Sequence, residues 1–356
     1  MEPYYSSMQN AFKNRSYRRM GILIGAIAAL IICAGAFLHY GPETRIPSWS
    51  DFGMPASDDD QNLVVDTPTV HKTDGRVDLC STEHAPAARE FEKTIAKYSH
   101  LKEDKFTIAM QTYKRPDELK RTLDALLSED IPSLEEVFIV WNDLDENPPS
   151  NYKSEFGVPV TYRMSERNSL NMRLQPKPDY KTQAILLTDD DVYYHPSDLE
   201  FVFQTWRKFG HNRLVGALAR CSTVDDKSKQ WKYGFCSKND DNYAMVLTNL
   251  AFSHIAFMDY YSSSDPRMTR IRDYVDKGLN CEDIAMNFVT SYLTREGPLL
   301  VTGHEKYVNY EPKQGISRKP GHLEARSKCL NDFAEMFSCM PLVNETAYVD
   351  RGVRPM

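Results

Sequence analysis

Hydrophobic and polar positions follow the periods of strands and helices from about residue 106 onward. Mostly apolar runs at 106–110 and 136–141 predict two buried strands, and further strands are predicted at 158–163 and 185–188. Between the first two runs, apolar side chains at 117–127 repeat at helical spacing. Because a helix separates the first two strands and more strands follow, the pattern predicts an α/β fold with a mostly parallel sheet.

The second half of the chain continues this pattern with weaker signals. Residues 198–209 suit an amphipathic helix, and 214–218 and 243–248 suit strands. The segment 231–235 between those strands is rich in aromatic residues. A helix is also predicted at 280–288, with two acidic residues in its first turn. Since the helix dipole favours acidic residues there, a purely structural role is an alternative for both.

Three consecutive carboxylates, Asp189, Asp190 and Asp191, follow directly after the apolar run 185–188. Adjacent like charges repel one another, and their desolvation is costly without a counter-charge. A divalent cation would supply that charge, and carboxylate oxygens suit Mg²⁺ or Mn²⁺. The alternative is a solvated acidic turn, which is how we interpret the acidic run 58–60, because no strand precedes it. Apolar residues on both sides of the first run favour the metal site.

Polar side chains also follow the other predicted strands. Gln111 and Arg115 come after the first strand, and Asn142 comes after the second. Ligands of open α/β sheets bind at the carboxyl ends of the strands, so this convergence predicts a nucleotide site. The first strand is followed by neither a dinucleotide-binding glycine motif nor a P-loop. Phosphates are therefore expected to be held by a metal and by arginines.

An uncharged apolar run at 21–38 has about the length that crosses a bilayer. Basic residues precede it, so the positive-inside rule places residues 1–20 in the cytoplasm and the rest in a lumen or outside the cell. The sequence thus predicts a single-pass anchor at 21–39, with a cleaved signal peptide as the alternative. Residues 40–104, whose first part is interrupted by prolines, are predicted to form a stem and lead-in.

Composition and cysteine content agree with this placement. The 356-residue chain has a net charge of −7, which gives no support for nucleic-acid binding. Of its seven cysteines, Cys33 lies in the apolar run, and the even number that remains suits disulfides in an oxidising compartment. No cysteine or histidine spacing indicates zinc, and Asn344 begins a glycosylation sequon. The six remaining cysteines are Cys80, Cys221, Cys236, Cys281, Cys329 and Cys339.

Several separate motifs, in the same order, resemble the exostosin-like glycosyltransferase domain over about 106–341. They are Phe106-Thr107-Ile108-Ala109-Met110-Gln111-Thr112-Tyr113, Val140-Trp141-Asn142, Thr188-Asp189-Asp190-Asp191, Tyr243-Ala244-Met245-Val246-Leu247 and Asn280-Cys281-Glu282-Asp283-Ile284-Ala285-Met286-Asn287. The resemblance implies a retaining enzyme with a GT-A type mixed sheet, a nucleotide-sugar donor and a divalent metal. We accordingly place the glycosyltransferase domain at 105–345 and a C-terminal tail at 346–356.

The resemblance also implies roles for individual residues. It makes Asp191 the direct metal ligand, within a metal and ribose motif that includes Asp189 and Asp190. Arg326 matches an arginine that reaches the diphosphate, and Asn280 and Asp283 match acceptor-side or catalytic positions. The residues that resemble uridine and diphosphate contacts are Gln111, Arg115, Asn142, Asn168 and Arg173.

Two further features follow from the resemblance. Cys281 and Cys329 match a disulfide pair. Among the other four cysteines we guess Cys221–Cys236 and Cys80–Cys339, although the sequence does not fix their connectivity. The family often has Asp at the position of Glu282, so a longer carboxylate departs from the pattern here. Retention allows either a double displacement, with Asp283 as the nucleophile, or a front-face attack in which Asp283 orients a substrate.

The expected function is transfer of an N-acetylhexosamine from its UDP donor to a glycan, glycolipid or glycoprotein acceptor, with Mn²⁺ or Mg²⁺. Donors such as GDP-mannose or UDP-glucose remain alternatives, as does a non-catalytic, membrane-anchored glycan-binding protein. The anchor and stem resemble those of type II Golgi transferases, so the expected location is the Golgi or endoplasmic reticulum membrane, with the catalytic domain in the lumen.

Overall fold

The structure, a computed structural model, describes residues 70–81, 85–236, 241–310 and 318–352. The predicted cytoplasmic tail, the predicted anchor at 21–39 and the first part of the stem lie outside these ranges. Within them, no helix combines the length and the apolar character needed to span a membrane.

Helices and short strands alternate along the described chain. The helices are α1 (Ala85–Lys97), α2 (Pro116–Leu126), α3 (Pro196–Phe209), α4 (Ile255–Tyr261), α5 (Pro266–Gly278), α6 (Glu282–Thr294) and α7 (His322–Phe337), with a 3-10 helix at Leu170–Leu174. The strands are β1 (Lys72–Thr73), β2 (Arg76–Val77), β3 (Lys102–Thr112), β4 (Leu134–Trp141), β5 (Val160–Met164), β6 (Thr182–Asp189), β7 (Val192–Tyr193), β8 (Val215–Gly216), β9 (Ala219–Val224), β10 (Trp231–Gly234), β11 (Met245–Val246), β12 (Leu250–His254), β13 (Leu299–Thr302), β14 (Val308–Asn309) and β15 (Tyr348–Asp350).

An eight-stranded sheet forms the centre of the fold, in the order β15-β13-β8-β12-β6-β3-β4-β5. Its neighbours pair in parallel except at β12, which is antiparallel to both β6 and β8. The predicted mixed, mostly parallel sheet is therefore confirmed. Since β3, β4 and β6 run in parallel, their carboxyl ends lie at one edge, and polar side chains after these strands are brought together there.

Both faces of this sheet are buried, which explains why its strands read as continuous apolar runs. Along β3, Ile108 belongs to the same core cluster as Leu123 of α2 and Phe203 of α3. The next residue, Ala109, belongs to a second cluster that includes Phe288 of α6. This alternation follows from the two-residue period of a strand, and it places α2 and α3 on one face and α6 on the other.

Several elements differ from the sequence prediction. The strand expected at 243–248 is reduced to β11, which pairs with β9 in a small three-stranded sheet outside the central one. The strand expected at 214–218 is reduced to β8, while β12, α5 and α7 were not predicted. These additions complete the half of the molecule that carries Asp283 and Arg326.

Segments beyond the predicted domain boundaries also pack onto the core. Phe91 of α1, in the expected lead-in, stacks on Phe257 with ring centroids 4.7 Å apart. At the other end, β15 pairs in parallel with β13 and forms one edge of the central sheet. The compact unit therefore includes residues on both sides of 105–345.

Three disulfides form: the one that the resemblance implies, and the two pairings that were guessed for the other cysteines. Cys281–Cys329 joins the start of α6 to α7. Cys221–Cys236 links β9 to the residues after β10, and Cys80–Cys339 closes the longest loop, with 259 residues of sequence separation. The first of these bonds holds together the two helices that carry the second half of the candidate site.

Candidate functional site

The acidic run at the end of β6 is neutralised by two arginines. The Arg115 guanidinium lies 2.6 Å from a carboxylate oxygen of Asp190 and 2.7 Å from one of Asp191. Arg173 forms an ion pair with Asp189. The counter-charge that we attributed to a metal is thus present in the protein itself, so repulsion among the three carboxylates does not by itself require a cation.

Asp190 lies beneath the site rather than at its surface. Its side chain is completely buried, and one carboxylate oxygen accepts a 2.6 Å hydrogen bond from Thr112 Oγ1. The backbone carbonyl of Asp190 accepts another 2.6 Å bond from Thr122 Oγ1. Burial raises the pKa of Asp190 to about 7. In this structure Asp190 positions Arg115, and its role toward a nucleotide stays a prediction.

Asp191, in contrast, retains an accessible carboxylate, with 13% of its side chain exposed. Its backbone carbonyl accepts a 2.9 Å hydrogen bond from the Tyr310 amide, next to the short β14–β7 pair. Among the described residues, no group of three or more acidic, histidine or cysteine side chains forms a metal cluster. One carboxylate completed by substrate phosphates and water is nevertheless a usual Mg²⁺ arrangement, so the donor set fits a cation that binds together with a diphosphate.

Gln111 and Asn142 line the same edge, at the ends of β3 and β4. Gln111 lies beside Asp189 in the sheet register, is 8% exposed, and its buried Oε1 has no hydrogen-bond partner within the described structure. Asn142 donates a 3.2 Å bond to the Ser169 carbonyl and accepts one from Ser165 Oγ. A buried acceptor without a partner costs about 1–3 kcal/mol, so a ligand that donates to Gln111 would relieve that cost.

The last two residues of the expected donor-contact set occupy different environments. Arg173 is almost completely buried and donates a 2.8 Å bond to the Thr188 carbonyl. Asn168, just before the 3-10 helix, is exposed. The structure thus brings Gln111, Arg115 and Arg173 to the acidic run, while the role of each toward a donor stays a prediction.

A second charged group lies where α6 and α7 meet. Arg326 forms an ion pair with Asp283, and both side chains are more than nine-tenths buried. The same guanidinium donates a 3.1 Å bond to Asn280 Oδ1 and lies 4.4 Å from the centre of the Tyr233 ring. The structure therefore brings Asn280, Asp283 and Arg326 together, and the Cys281–Cys329 disulfide joins the two helices that carry Asp283 and Arg326.

Glu282 connects the two charged groups. Its Oε1 lies 3.9 Å from an Arg173 nitrogen, and it directly precedes Asp283. Burial raises the pKa of Glu282 to about 7, and repulsion from Asp283 adds to the increase. The carboxylate that departs from the family pattern thus lies between the acidic run and the Asp283–Arg326 pair.

Replacing Glu282 by Gln should flatten the pH dependence of stability between about pH 4.5 and pH 7. In the folded protein the carboxyl keeps its proton to about pH 7, whereas the ordinary pKa of a glutamate is 4.5. The folded state therefore binds more protons in this window, and the free energy of unfolding falls as the pH rises. We expect Glu282 to contribute on the order of 2 kcal/mol to that fall. Urea unfolding at pH 4.5 and pH 7, without divalent metal, gives the free energy of unfolding at each pH. The difference between wild-type protein and variant gives the contribution of Glu282.

The matched control for this measurement is Glu335→Gln, which removes an exposed carboxylate paired with Lys72. Other buried carboxyls contribute to the overall slope, so the comparison is between each variant and the wild-type protein. An unchanged slope in Glu282→Gln would contradict the assignment of the raised pKa to this residue.

Two side chains that adjoin the second charged group were not predicted from the sequence. Tyr233 lies against Arg326, and His322 Nδ1 lies 3.4 Å from Asn280 Nδ2. The segment of Tyr233 was noted only for its aromatic content. His322 and Arg326 are four residues apart on α7, so recognition of that helix would have placed both side chains on one face.

Comparison with known proteins identifies the family to which this chain belongs. The family model described as the glycosyl transferase family 64 domain matches residues 106–353. Exostosin-2 of Homo sapiens is 35% identical over 241 residues, which cover 67% of this chain and 33% of that protein. This chain thus spans about a third of the length of Exostosin-2.

Two shorter relatives match over a larger share of their length. Exostosin-like 2 of Homo sapiens is 30% identical over 254 residues, which cover 67% of this chain and 74% of the relative. Glycosylinositol phosphorylceramide mannosyl transferase 1 of Arabidopsis thaliana is 31% identical over 256 residues, with the same two shares. From the family match, these relatives and the fold, we conclude that the chain belongs to glycosyl transferase family 64, the exostosin-like glycosyltransferases.

Proposed function

We propose that this protein transfers an N-acetylhexosamine from its UDP donor to a glycan acceptor, with retention of configuration and with Mn²⁺ or Mg²⁺. The observation that carries the proposal is the continuity of two charged groups, Asp191–Arg115 and Asp283–Arg326. Glu282 links them, because it directly precedes Asp283 and its Oε1 lies 3.9 Å from a nitrogen of Arg173, which pairs with Asp189. Such an arrangement can hold a charged diphosphate on one side and a reacting sugar on the other.

The donor side is formed by the ends of β3, β4 and β6. Asp191 would hold the cation, which when bound neutralises the charge that develops on the leaving diphosphate. Arg115 contacts both Asp190 and Asp191, so it orients the Asp191 carboxylate and remains half-buried at the phosphate side. Gln111 offers its buried, unpartnered oxygen to an N–H or O–H group of the nucleoside.

The reacting side is formed by Asp283 and Arg326. One carboxylate oxygen of Asp283 pairs with Arg326, and the other accepts a 2.7 Å hydrogen bond from the Ile284 amide. Both contacts stabilise the negative charge of the buried Asp283 carboxylate and so lower its nucleophilicity. They therefore favour the front-face route over a double displacement. On that route Asp283 positions Arg326, which donates hydrogen bonds to the leaving diphosphate.

A second candidate function is mannosyl transfer on the same site. It is favoured by the similarity to a plant protein named as a glycosylinositol phosphorylceramide mannosyl transferase, which is 31% identical over 74% of its length. Both candidates use the same charged groups, and they differ in the nucleotide and sugar that the donor side accepts.

We also propose a lumenal location in the Golgi or endoplasmic reticulum, with attachment to the membrane through residues 21–39. The three disulfides suit an oxidising compartment. Asn344, the residue of the predicted sequon, is exposed and accessible for glycosylation.

The test is donor binding and hydrolysis by the full-length protein. UDP-N-acetylglucosamine, UDP-N-acetylgalactosamine, UDP-glucose and GDP-mannose are compared with Mn²⁺ and with a chelator. We expect metal-dependent binding and slow hydrolysis of a UDP-N-acetylhexosamine. Preference for GDP-mannose would move the function to mannosyl transfer, and the absence of metal-dependent binding to any donor would contradict the proposal.

A further inference from the structure

A side-chain oxygen without a partner lies in the turn before β12. The Oδ1 of Asn249 is buried, and no hydrogen-bond donor of the described residues contacts it. Turns often contain asparagine because it tolerates a left-handed backbone, but the φ of Asn249 is not positive. A buried acceptor that stays unpaired costs stability, so neither the backbone nor the packing explains this side chain. A ligand that donates a hydrogen bond to it would.

The sheet register places Asn249 in one row with Asp189 and Gln111. Asp189 lies opposite Gln111 of β3. On its other side, the Asp189 amide donates a 3.2 Å hydrogen bond to the Asn249 carbonyl, which extends the pairing of β6 with β12 by one residue. Residues opposite one another in neighbouring strands have their side chains on the same face of the sheet. The row therefore has Asp189 between two residues that each carry a buried, unpartnered oxygen.

This row lies on the face of the sheet that α6 covers. Ala109, Leu187 and Ala251 are each two positions from a member of the row along their own strands, and all three belong to the core cluster of Phe288. Because side chains two apart on a strand share a face, the row lies on the side of that cluster.

The turn before β12 is also tied to the charged groups of the site. Thr248 Oγ1 lies 3.5 Å from a nitrogen of Arg173. Asn287 of α6 donates 2.8 Å hydrogen bonds to the carbonyls of Val246 and Asp283. The turn therefore lies between the partner of the acidic run and the first turn of α6.

The order of the strands at this edge matches the order of groups in a nucleotide-sugar. The strands run β4, β3, β6 and β12, and the ligand runs nucleoside, diphosphate, sugar. If Gln111 of β3 contacts the nucleoside and Asp191, after β6, holds the cation on the diphosphate, the sugar reaches the start of β12. Neighbouring strands are about 4.8 Å apart, so the backbones of Gln111 and Asn249 are about 10 Å apart. The two oxygens thus serve different parts of one ligand.

We propose that Asn249 is a specificity-determining residue of the donor site, whose Oδ1 accepts a hydrogen bond from an O–H or N–H group of the donor sugar. The inference rests on the proposed function, because it needs a nucleotide-sugar bound along this edge. It adds a residue that distinguishes the nucleotide-sugar from the nucleotide alone.

The experiment compares the affinities of the full-length protein for UDP and UDP-N-acetylglucosamine, with Mg²⁺ and by isothermal titration calorimetry. GDP and GDP-mannose are measured as a second pair. Asn249→Leu keeps much of the side-chain volume and removes the oxygen. We expect the dissociation constant of the nucleotide-sugar to rise about tenfold and that of the nucleotide alone to stay unchanged.

Two variants and one further ligand sharpen the comparison. Gln111→Leu should weaken nucleotide and nucleotide-sugar by the same factor, because Gln111 is proposed to contact the nucleoside. Asn212→Leu replaces an exposed asparagine after α3 and should match the wild-type protein throughout. UDP-glucose identifies the group: a loss confined to UDP-N-acetylglucosamine in Asn249→Leu assigns the acetamido N–H, and an equal loss assigns a hydroxyl that both sugars have.

The stability of Asn249→Leu separates binding from a structural role. Because the substitution removes a buried acceptor without a partner, the urea midpoint of the ligand-free protein should stay at the wild-type value or rise. A lower midpoint, together with an equal loss of affinity for nucleotide and nucleotide-sugar, would make Asn249 a structural residue and overturn the inference.

Wild-type affinity of Asn249→Leu for the nucleotide-sugar would also overturn it. Donor hydrolysis by the wild-type protein, measured in the same samples, tests the proposed function separately. Donor binding and hydrolysis that do not depend on Asn249 would remove the inference and leave the function. If the wild-type protein bound no nucleotide-sugar, both would be contradicted.

Discussion

Asp191→Asn should reduce metal-dependent donor hydrolysis and glycosyl transfer by about 10²–10³-fold, because the carboxylate that would hold the cation is lost. The side chain is partly exposed and contributes one of the two ion pairs of Arg115. Since Asp190 keeps its own contact with Arg115, we expect the free energy of unfolding to change by no more than about 1 kcal/mol. Initial rates over a range of Mn²⁺ concentrations and a thermal unfolding curve measure both effects.

The matched control is Asp124→Asn on α2. Asp124 also pairs with a cation, Lys120, at 2.6 Å, but it lies on the exposed side of the helix. We expect this variant to keep wild-type rates and the wild-type dependence on Mn²⁺. If Asp191→Asn also transferred sugar at a near-normal, metal-dependent rate, Asp191 could not be the ligand, and the metal site would have to be sought elsewhere.

The positions of the site residues were predictable because they depend on strand ends. An apolar run that is followed by polar residues locates the carboxyl end of a buried strand, and parallel neighbours bring such ends together. Gln111, Asn142 and Asp189 were identified in this way, before any contact was known. The sheet then places Gln111 beside Asp189 in register.

The partners of the charged residues were not predictable by the same reasoning. Arg115 and Asp191 are separated by 76 positions in the sequence, yet their side chains form an ion pair. The sequence does not show where the guanidinium groups lie, so a metal was the expected counter-charge of the acidic run. The burial of Asp190 was not predictable for the same reason. Its hydrogen-bond partners, Thr112 of β3 and Thr122 of α2, lie far from it in the sequence.

The missed elements share a different cause. The strand β12 spans five residues and runs directly into α4 without a glycine or proline between them, so no turn signal separates them. Polar residues outnumber apolar ones in α5 and equal them in α7, and each helix buries only part of its surface. The arginine of α7 was therefore recognised through a family resemblance, and its neighbour His322 was not recognised at all.

Arg326→Met should destabilise the protein by about 3–5 kcal/mol, because it leaves the Asp283 carboxylate buried without a cation. Methionine retains much of the side-chain length, so the contact with Tyr233 is largely kept and the lost charge dominates. Transfer activity should also become very low, since the guanidinium that we propose to contact the diphosphate is absent. Urea unfolding and initial transfer rates measure the two effects.

A second variant separates the structural effect from the functional one. Arg326→Met combined with Asp283→Asn removes both charges, so much of the stability should return, because no unpaired ion is left in the interior. Activity should not return, because the group proposed to stabilise the leaving diphosphate is still missing. The Cys281–Cys329 disulfide keeps α6 and α7 joined in every variant, so the helices cannot simply separate. If the double variant were as active as the wild-type protein, the pair would be a structural ion pair alone, and the reacting side of the site would have to lie elsewhere.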